Sequence, residues 1–163
     1  MKKIKENRKF VKSSEVIMTE MVLPNDTNQL GVLLGGKLMH WIDISAAISA
    51  LRHSGKICVT ASVDEINFRH PIGLGEVVTL KASVNRVFHT SMEVGVKVIS
   101  ENLLTRERKH TNTAYLTFVG LDGNRRPTSV DEIFPETKDE KRRFKEAKLR
   151  REVRLHHRKN KIK

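Results

Sequence analysis

Cysteine is nearly absent from this chain of 163 residues, which holds only Cys58. A single cysteine excludes a disulfide within the chain and favours a reducing compartment. We interpret it as a small, buried strand residue. No run of about 18 apolar residues occurs, so we expect no transmembrane helix. The first ten residues are basic without an apolar segment behind them, which argues against a secretory signal and favours the cytoplasm.

Metal-ligand spacing is also missing. The seven histidines are scattered along the chain, and none belongs to a short-spaced set of the kind that holds zinc. His70 precedes Pro71 in a predicted turn, where a surface position is more typical than a ligand. We therefore expect no metal ion.

The positive charge is concentrated at the end of the sequence. Residues 138–163 hold 13 Lys/Arg against 4 Asp/Glu, a balance of +9 out of the formal net charge of +12. The segment has no glycine or proline and few apolar residues, which predicts a solvated helix with a frayed, disordered end. Contact with nucleic acid or an anionic membrane is the alternative. Only charge supports that alternative, since the segment lacks interleaved aromatic residues, and we regard nucleic-acid binding as unlikely.

The length and composition predict three parts. Residues 1–12 are polar and charged and form a loose arm. Residues 13–137 form one domain that is long enough to bury a core. Residues 138–163 form the basic tail.

The stretch from Pro24 to Leu51 organises the domain. Its first part is rich in the short polar residues and glycine that form turns. An apolar segment without glycine or proline follows, which predicts a helix over Gly36–Leu51. Because this helix is apolar nearly all round, we expect it to be buried. Asp43 stands out, since a carboxylate inside such a helix is costly unless it is paired or used.

Five segments have the alternating pattern of strands: Ser13–Leu23, Val59–Phe68, Val77–Phe88, Met92–Ser100 and Lys109–Leu121. The first precedes the helix and the other four follow it, which predicts a meander. An antiparallel sheet wrapped around one apolar helix, an α+β domain, is the expected fold.

Two groups of residues carry a family resemblance. The first comprises Asp26-Thr27-Asn28, Gly31, Gly35-Gly36, Leu38-Met39 and Asp43, and the second comprises Val63-Asp64-Glu65-Ile66-Asn67-Phe68, Pro71-Ile72 and Gly75-Glu76-Val77-Val78. Together they resemble the signature of hotdog-fold acyl-CoA thioesterases of the bacterial YciA and brain acyl-CoA hydrolase type, over roughly residues 15–134. The resemblance implies a hotdog fold, a dimer with its two sheets side by side and, often, a trimer of dimers.

The resemblance also implies the chemistry and two catalytic residues. Such enzymes hydrolyse acyl-CoA to a free acid and coenzyme A, and they need no cofactor beyond the coenzyme A of the substrate. It assigns catalysis to Asp43, as general base or nucleophile, and to Asn28, the two meeting from different subunits. The structural alternatives are a paired or edge-exposed Asp43, and an Asn28 that bonds its own loop.

Gly35 and Gly36 lie where the helix begins. Backbone N–H groups there are unpaired and carry partial positive charge, so they could bind the oxyanion of a thioester intermediate. Alternatively, both glycines only form a tight turn. His40 shares a helix face with Asp43, but no serine or cysteine is placed as its nucleophile, and we interpret it as structural.

Coenzyme A carries phosphates, so cations and hydroxyls should lie near its groove. Arg69, Arg86, Thr90 and Ser91 occupy predicted strand ends and turns, and the resemblance adds Asn67 and Phe68 as a border of the coenzyme. Exposed arginines on a sheet rim are the alternative. The function hypothesis is acyl-CoA hydrolysis. A non-catalytic acyl-CoA-binding protein and a nucleic-acid-associated protein are the competing hypotheses.

Overall fold

The computed structural model describes residues 8 to 160. The strands are β1 (Lys9–Phe10), β2 (Val16–Met21), β3 (Ile57–Val63), β4 (Val77–Phe88), β5 (Ser91–Glu101), β6 (Arg108–Leu121) and β7 (Ile133–Phe134). The helices are α1 (Gly35–Ser54) and α2 (Lys138–Asn160), with short 3-10 helices at Val11–Ser14 and Pro24–Asp26.

Five strands form one antiparallel sheet in the order β2-β4-β5-β6-β3. Its inner face packs on α1, and apolar residues at alternate positions supply the core, among them Val78, Leu80, Val84, Val94, Val96, Leu116 and Phe118. The predicted α+β class is confirmed. The predicted meander is wrong at one point, because β3 pairs with β6 at the far edge and not with β4.

Helix α1 begins one residue earlier than predicted and ends at Ser54. Gly55 follows in the left-handed conformation with φ 65°, the cap expected of a glycine there. One side of α1 is buried in the core, at Leu38, Trp41, Ile42, Ala46 and Ala50. The expectation of burial all round is wrong within one chain, because an outer stripe of three apolar residues is more than a third exposed: Ile44, Ile48 and Leu51.

Strand β3 is shorter than predicted. It ends at Val63, and Asp64 to His70 form a loop without strand pairing. The register also shifts in the middle of the strand, where Thr60 lies opposite Phe118 and Ser62 opposite Thr117. Ala61 is therefore a β-bulge, which re-aims the residues that follow it.

Part of the predicted N-terminal arm packs with the folded body. Lys9 and Phe10 pair in parallel with Ile133 and Phe134, and Val11 is buried. The boundary at residue 12 is therefore wrong, since residues 9–12 pack with the domain. Residues 1–7 of the predicted arm lie outside the described residues.

Helix α2 is not solvated on every side, and the frayed end predicted for the tail falls partly on residues 161–163, outside the described residues. It packs on the outer face of the sheet, where Ala147 is fully buried and the guanidinium of Arg150 lies 3.6 Å from the ring centre of Tyr115. Arg86 on β4 donates to the carbonyl of Phe144 at 3.2 Å. The sequence pattern did not indicate this packing. The contact is made by arginine stems and aromatic rings, and not by a stripe of aliphatic residues.

Within residues 8–160, neither helix has a stretch both long and apolar enough to cross a membrane.

Candidate active site

Asp43 is the ninth of the twenty residues of α1 and is half-buried. The hydroxyl of Thr60 on β3 donates to its Oδ1 at 2.8 Å. Thr60 faces the helix because it lies opposite Phe118, a buried residue of the inner face, and directly opposed residues share a face. The bond fixes one carboxylate oxygen and leaves Oδ2 to meet a water or a substrate.

The loop before α1 is anchored by Asp26, which is buried. Its Oδ2 accepts from the backbone N–H of Leu23 at 3.1 Å, and its Oδ1 lies 3.1 Å from Nζ of Lys37. These two donors hold the pKa of Asp26 below its ordinary value. The loop is thereby tied to the first turn of α1.

Asn28 is exposed on this loop, and its side-chain oxygen serves the loop itself. Oδ1 accepts from the backbone N–H of Leu30 at 2.9 Å and of Val32 at 3.3 Å. The loop-bonding role considered for Asn28 is therefore present. Because the oxygen is engaged, the amide NH₂ is the group that can point outward to donate, and no bond joins it to Asp43 in the part of the chain described.

The start of α1 offers two backbone donors. Leu34 O accepts from the N–H of Lys37 at 3.0 Å and of Leu38 at 3.1 Å, and no side chain caps the helix. The N–H groups of Gly35 and Gly36 precede these bonds and are exposed to solvent. The ring of Phe68 covers Gly35, with Cζ 3.5 Å from the position that a Cβ there would occupy. A side chain at residue 35 would crowd that ring.

Gly35 and Asp43 lie eight residues apart on α1, which is about 12 Å at about 1.5 Å per residue. A base and an oxyanion donor act on the same carbonyl from about 3 Å. One chain therefore does not bring its own Asp43 and its own helix N-terminus to one reacting centre.

Asn67 and Arg69 lie together at a polar cavity of about 340 Å³. Glu65 and a segment of β6, His110 to Thr113, complete its lining. Asn112, which is 5% exposed, donates its side-chain N–H to the carbonyl of Asn67 and fixes the loop after β3 to β6. Three candidates for coenzyme binding, Asn67, Phe68 and Arg69, thus share one end of the sheet.

Thr90 and Ser91 lie at the other end. Ser91 is opposite Val119 on β6, whereas Asn67 is held by Asn112 of the same strand. Seven residues of strand separate these positions, about 23 Å at about 3.3 Å per residue. Within one chain the two predicted halves of the coenzyme groove are therefore not brought together.

Arg86 is occupied elsewhere. It lies opposite Glu93 on the outer face, and its guanidinium stacks 4.1 Å from the ring centre of Phe144 on α2. It is therefore not the exposed rim arginine that was the alternative to coenzyme binding. Its contacts stabilise the docking of α2.

The remaining candidates carry no chemistry here. His40 is exposed and makes no bond to Asp43 within the described residues, and His70 is exposed on its loop. Cys58 lies in β3 and is partly buried, with Sγ 3.2 Å from the hydroxyl of Ser54. Among residues 8–160, no three His, Cys, Asp or Glu residues are grouped as a metal site would need.

Sequence reasoning missed Thr60. A threonine in an alternating strand gives no signal by itself, and its link to Asp43 appears only when β3 lies beside α1. It also missed Glu93, a fully buried carboxylate, although a glutamate between Met92 and Val94 in a buried strand is a visible anomaly.

The Thioesterase superfamily model matches residues 30–106. The chain is 48% identical over 132 residues to the "uncharacterized acyl-CoA thioester hydrolase YkhA" of Bacillus subtilis, covering 81% of this chain and 77% of that protein. It is 42% identical over 150 residues to acyl-coenzyme A thioesterase 11 of Mus musculus, covering 92% of this chain but 25% of the mouse protein.

Solved structures are similar along nearly the whole chain. An acyl-CoA hydrolase from Bacillus cereus has a TM-score of 0.90 at 41% identity, covering 95% of this chain and 94% of its own. An apo-hexameric acyl-CoA thioesterase has a TM-score of 0.88 at 40% identity, covering 91% and 95%. The Staphylococcus aureus acyl-CoA hydrolase, in complex with butyryl coenzyme A, coenzyme A and coenzyme A disulfide, has a TM-score of 0.87 at 34% identity, covering 95% and 96%. This agreement in sequence and in fold shows that the chain belongs to the hotdog-fold acyl-CoA thioesterases.

Proposed function

We propose that the protein hydrolyses acyl-CoA thioesters, with water as the attacking group and a free carboxylic acid and coenzyme A as products. The observation that carries the proposal is the Thr60–Asp43 hydrogen bond, which orients the one carboxylate of helix α1. Family membership adds the substrate class. Similar structures of the S. aureus enzyme include variants in which an aspartate, an asparagine or a threonine is replaced by alanine, the three residue types proposed here.

Asp43 acts as the general base. With Oδ1 held by Thr60, Oδ2 accepts a proton from water as the water oxygen attacks the acyl carbon. The thioester oxygen becomes an oxyanion. When the C–S bond breaks, the electron pair leaves with sulfur, and the proton on Asp43 returns to give the free thiol. No metal or organic cofactor is needed for this sequence.

The oxyanion is bound by the N–H groups of Gly35 and Gly36, with the side-chain NH₂ of Asn28 holding the water or the carbonyl. Since about 12 Å of helix separates Gly35 from Asp43 in one chain, Asp43 of one chain works with Asn28, Gly35 and Gly36 of a second. Each active site is thus shared between two subunits.

The surface for this pairing is exposed in the single chain. The outer stripe of α1 (Ile44, Ile48 and Leu51) runs beside the edge strand β3, whose Ile57, Val59 and Val63 are also exposed. Apolar patches and unpaired strand edges of this kind are typically covered by a partner. A two-fold dimer through α1 and β3 covers both, and a trimer of dimers fits the hexameric relative.

The same dimer brings the two predicted halves of the coenzyme groove together. Antiparallel pairing brings Thr90 and Ser91 of one chain toward the Asn67–Arg69 loop of the other. The cavity at this loop offers Arg69, a cation suited to the phosphates of coenzyme A. Arg86 has no part in this groove.

A cytoplasmic location completes the proposal, supported by similarity to rat and mouse enzymes named cytosolic acyl coenzyme A thioester hydrolase. Nucleic acid is not the proposed partner. Two arginines of the basic tail, Arg150 and Arg154, already face carboxylates of the domain.

The test is hydrolysis of a panel of short-chain to long-chain acyl-CoAs, followed by thiol release. Asp43→Ala should lower kcat by about 10²- to 10⁴-fold, the usual contribution of a general base. Glu132→Gln, which removes an exposed charge far along the chain, should match the wild type. Unchanged turnover in Asp43→Ala would exclude this carboxylate, and no turnover by the wild type on any chain length would exclude the enzyme.

A further inference from the structure

Helix α2 reaches the end of β3, four residues after Thr60. Thr60 and Asp64 have the same parity in the sequence, so an unbroken strand would point both to the same face. The bulge at Ala61 reverses this relation. Thr60 lies opposite Phe118 on the inner face, whereas Asp64 follows Val63, the partner of Leu116, and its N–H donates to the carbonyl of Tyr115 at 3.0 Å. One strand therefore presents Thr60 to α1 and Asp64 to α2.

On the outer face, Asp64 is held by Arg154. The guanidinium Nη1 donates to Oδ2 of Asp64 at 2.7 Å, and only 19% of the Asp64 side chain and 21% of the Arg154 side chain are exposed. Arg154 also donates to the buried Glu93 at 3.3 and 3.4 Å. Burial raises the pKa of Asp64, and Glu93 adds to the rise, while Arg154 opposes it. Without Arg154, Asp64 would be a partly buried carboxylate beside another carboxylate.

Asp64 is the first residue of the loop that leads to the proposed coenzyme site. Asn112 holds the same loop at the carbonyl of Asn67, and the next residue, Phe68, lies over Gly35. The loop is therefore tied at Asp64 and at Asn67, and its far end covers the proposed oxyanion donors. Loss of the first tie frees the residues between β3 and Phe68.

We propose that Arg154 is a positioning residue of the thioesterase, which sets the Asp64–Phe68 loop against the N-terminus of α1 from the opposite side of the sheet. Helix α2 then helps to position the active site. This inference rests on the proposed function only in its kinetic consequence. The structural consequence, an ordered loop, stands independently.

The test is a double-mutant cycle of Arg154→Gln and Asp64→Asn in the full-length protein. Each single variant should raise KM for acyl-CoA about fivefold with kcat within about twofold, because a loop that must be ordered on binding weakens substrate and transition state alike. The KM of the double variant should be no worse than that of Arg154→Gln, since both substitutions remove the Asp64–Arg154 contact and only Arg154→Gln also loses the bonds to Glu93. Arg154→Lys, which keeps the charge, should recover part of the loss.

Arg151→Gln is the matched control, because Arg151 is on the same helix and stacks over Phe88 instead of contacting Asp64. It should keep the wild-type KM. A purely structural Arg154 would lower the unfolding temperature and leave KM unchanged, and that result would overturn the inference. Independent, additive effects of the two single variants would overturn it as well.

Hydrogen–deuterium exchange separates this inference from the proposed function. Arg154→Gln should increase deuterium uptake in residues 64–69, and Arg151→Gln should not. If the wild type hydrolyses no acyl-CoA, the proposed function fails, and the exchange result still decides whether Arg154 holds the loop. Uptake equal to the wild type in Arg154→Gln would refute the positioning role.

Discussion

The hydroxyl of Thr60 determines which oxygen of the Asp43 carboxylate is left to meet water. Thr60 donates to Oδ1 from an exposed position on β3. Replacing it with valine keeps the shape of the side chain and removes the donor, so Thr60→Val should lower kcat about tenfold through misorientation of Asp43. The unfolding temperature should barely change, because the hydroxyl is not buried.

Thr19→Val, an exchange on the opposite edge strand, serves as its control. Steady-state kinetics with one acyl-CoA are sufficient for the comparison. A wild-type kcat in Thr60→Val would mean that Asp43 is oriented by something other than this bond.

The loop before α1, which Asp26 anchors, should lose stability in acid. The N–H of Leu23 and the ammonium of Lys37 lower its pKa from the ordinary value of 3.8. A depressed folded-state pKa contributes stability that is fully present above the unfolded-state value and is lost as the pH falls through the folded-state value. The stability of the wild type should therefore decline below about pH 4 more steeply than that of Asp26→Asn.

Urea unfolding of both proteins from pH 7 to pH 2 measures this difference directly. The difference in unfolding free energy between the two proteins should be constant near neutrality and should narrow in acid. A gap independent of pH would show that the carboxylate of Asp26 contributes no linked stability.

At the scale of elements, α2 is attached to the sheet through a buried charge. Glu93 is fully buried on β5 and accepts from Arg150, at 2.7 Å from Nη2, from Arg154 and from Asn85 at 3.1 Å. Gly95, two residues along β5, leaves room for this arrangement, since a Cβ there would lie 2.7 Å from Nδ2 of Asn85. Removing one partner of such a buried ion pair is costly, because the charge of the other partner stays buried.

Arg150→Met should therefore destabilise the protein by about 3 kcal/mol, the usual scale for removing one partner of a buried ion pair. Adding Glu93→Gln should restore part of that loss, since a neutral amide tolerates burial better. Denaturant unfolding of the single and double variants tests both statements. A double variant less stable than Arg150→Met would contradict the account of this contact.

The packing of α2 also changes what a truncation means. Deletion of residues 138–163 exposes the outer face of the sheet and removes Arg154 from Asp64. Loss of turnover is therefore expected of the shortened enzyme. Point substitutions separate the functions of the helix where deletion cannot.

At the scale of the whole molecule, the sequence predicted those features of the fold that depend on residues close together in the chain. The apolar run after Gly36 and the alternation of three strands depend on neighbouring residues and were confirmed. The errors lie where distant parts meet. The position of β3 beside β6, the docking of α2 and the Thr60–Asp43 bond follow from tertiary contacts that periodicity does not encode.

The assembly of the site follows the same logic. The roles of Asn28 and Asp43 as a pair from two subunits came from family resemblance and stay a prediction. The separation of Gly35 from Asp43 along α1 gives that prediction a geometric reason, because one chain cannot supply both to one carbonyl. The exposed stripe of α1 and the free edge of β3 indicate where the second chain lies.

Complementation between two inactive variants tests this central claim most directly. Asp43→Ala and Asn28→Ala would be produced together with different affinity tags, and the doubly tagged oligomers would be assayed for acyl-CoA hydrolysis. A mixed dimer with shared sites regains one of its two sites, so a doubly tagged dimer should have about half of the wild-type activity, and the unselected mixture about a quarter. Each variant alone should be nearly inactive. No recovery in the mixture, with oligomers intact, would contradict the account and place both residues in the site of a single chain.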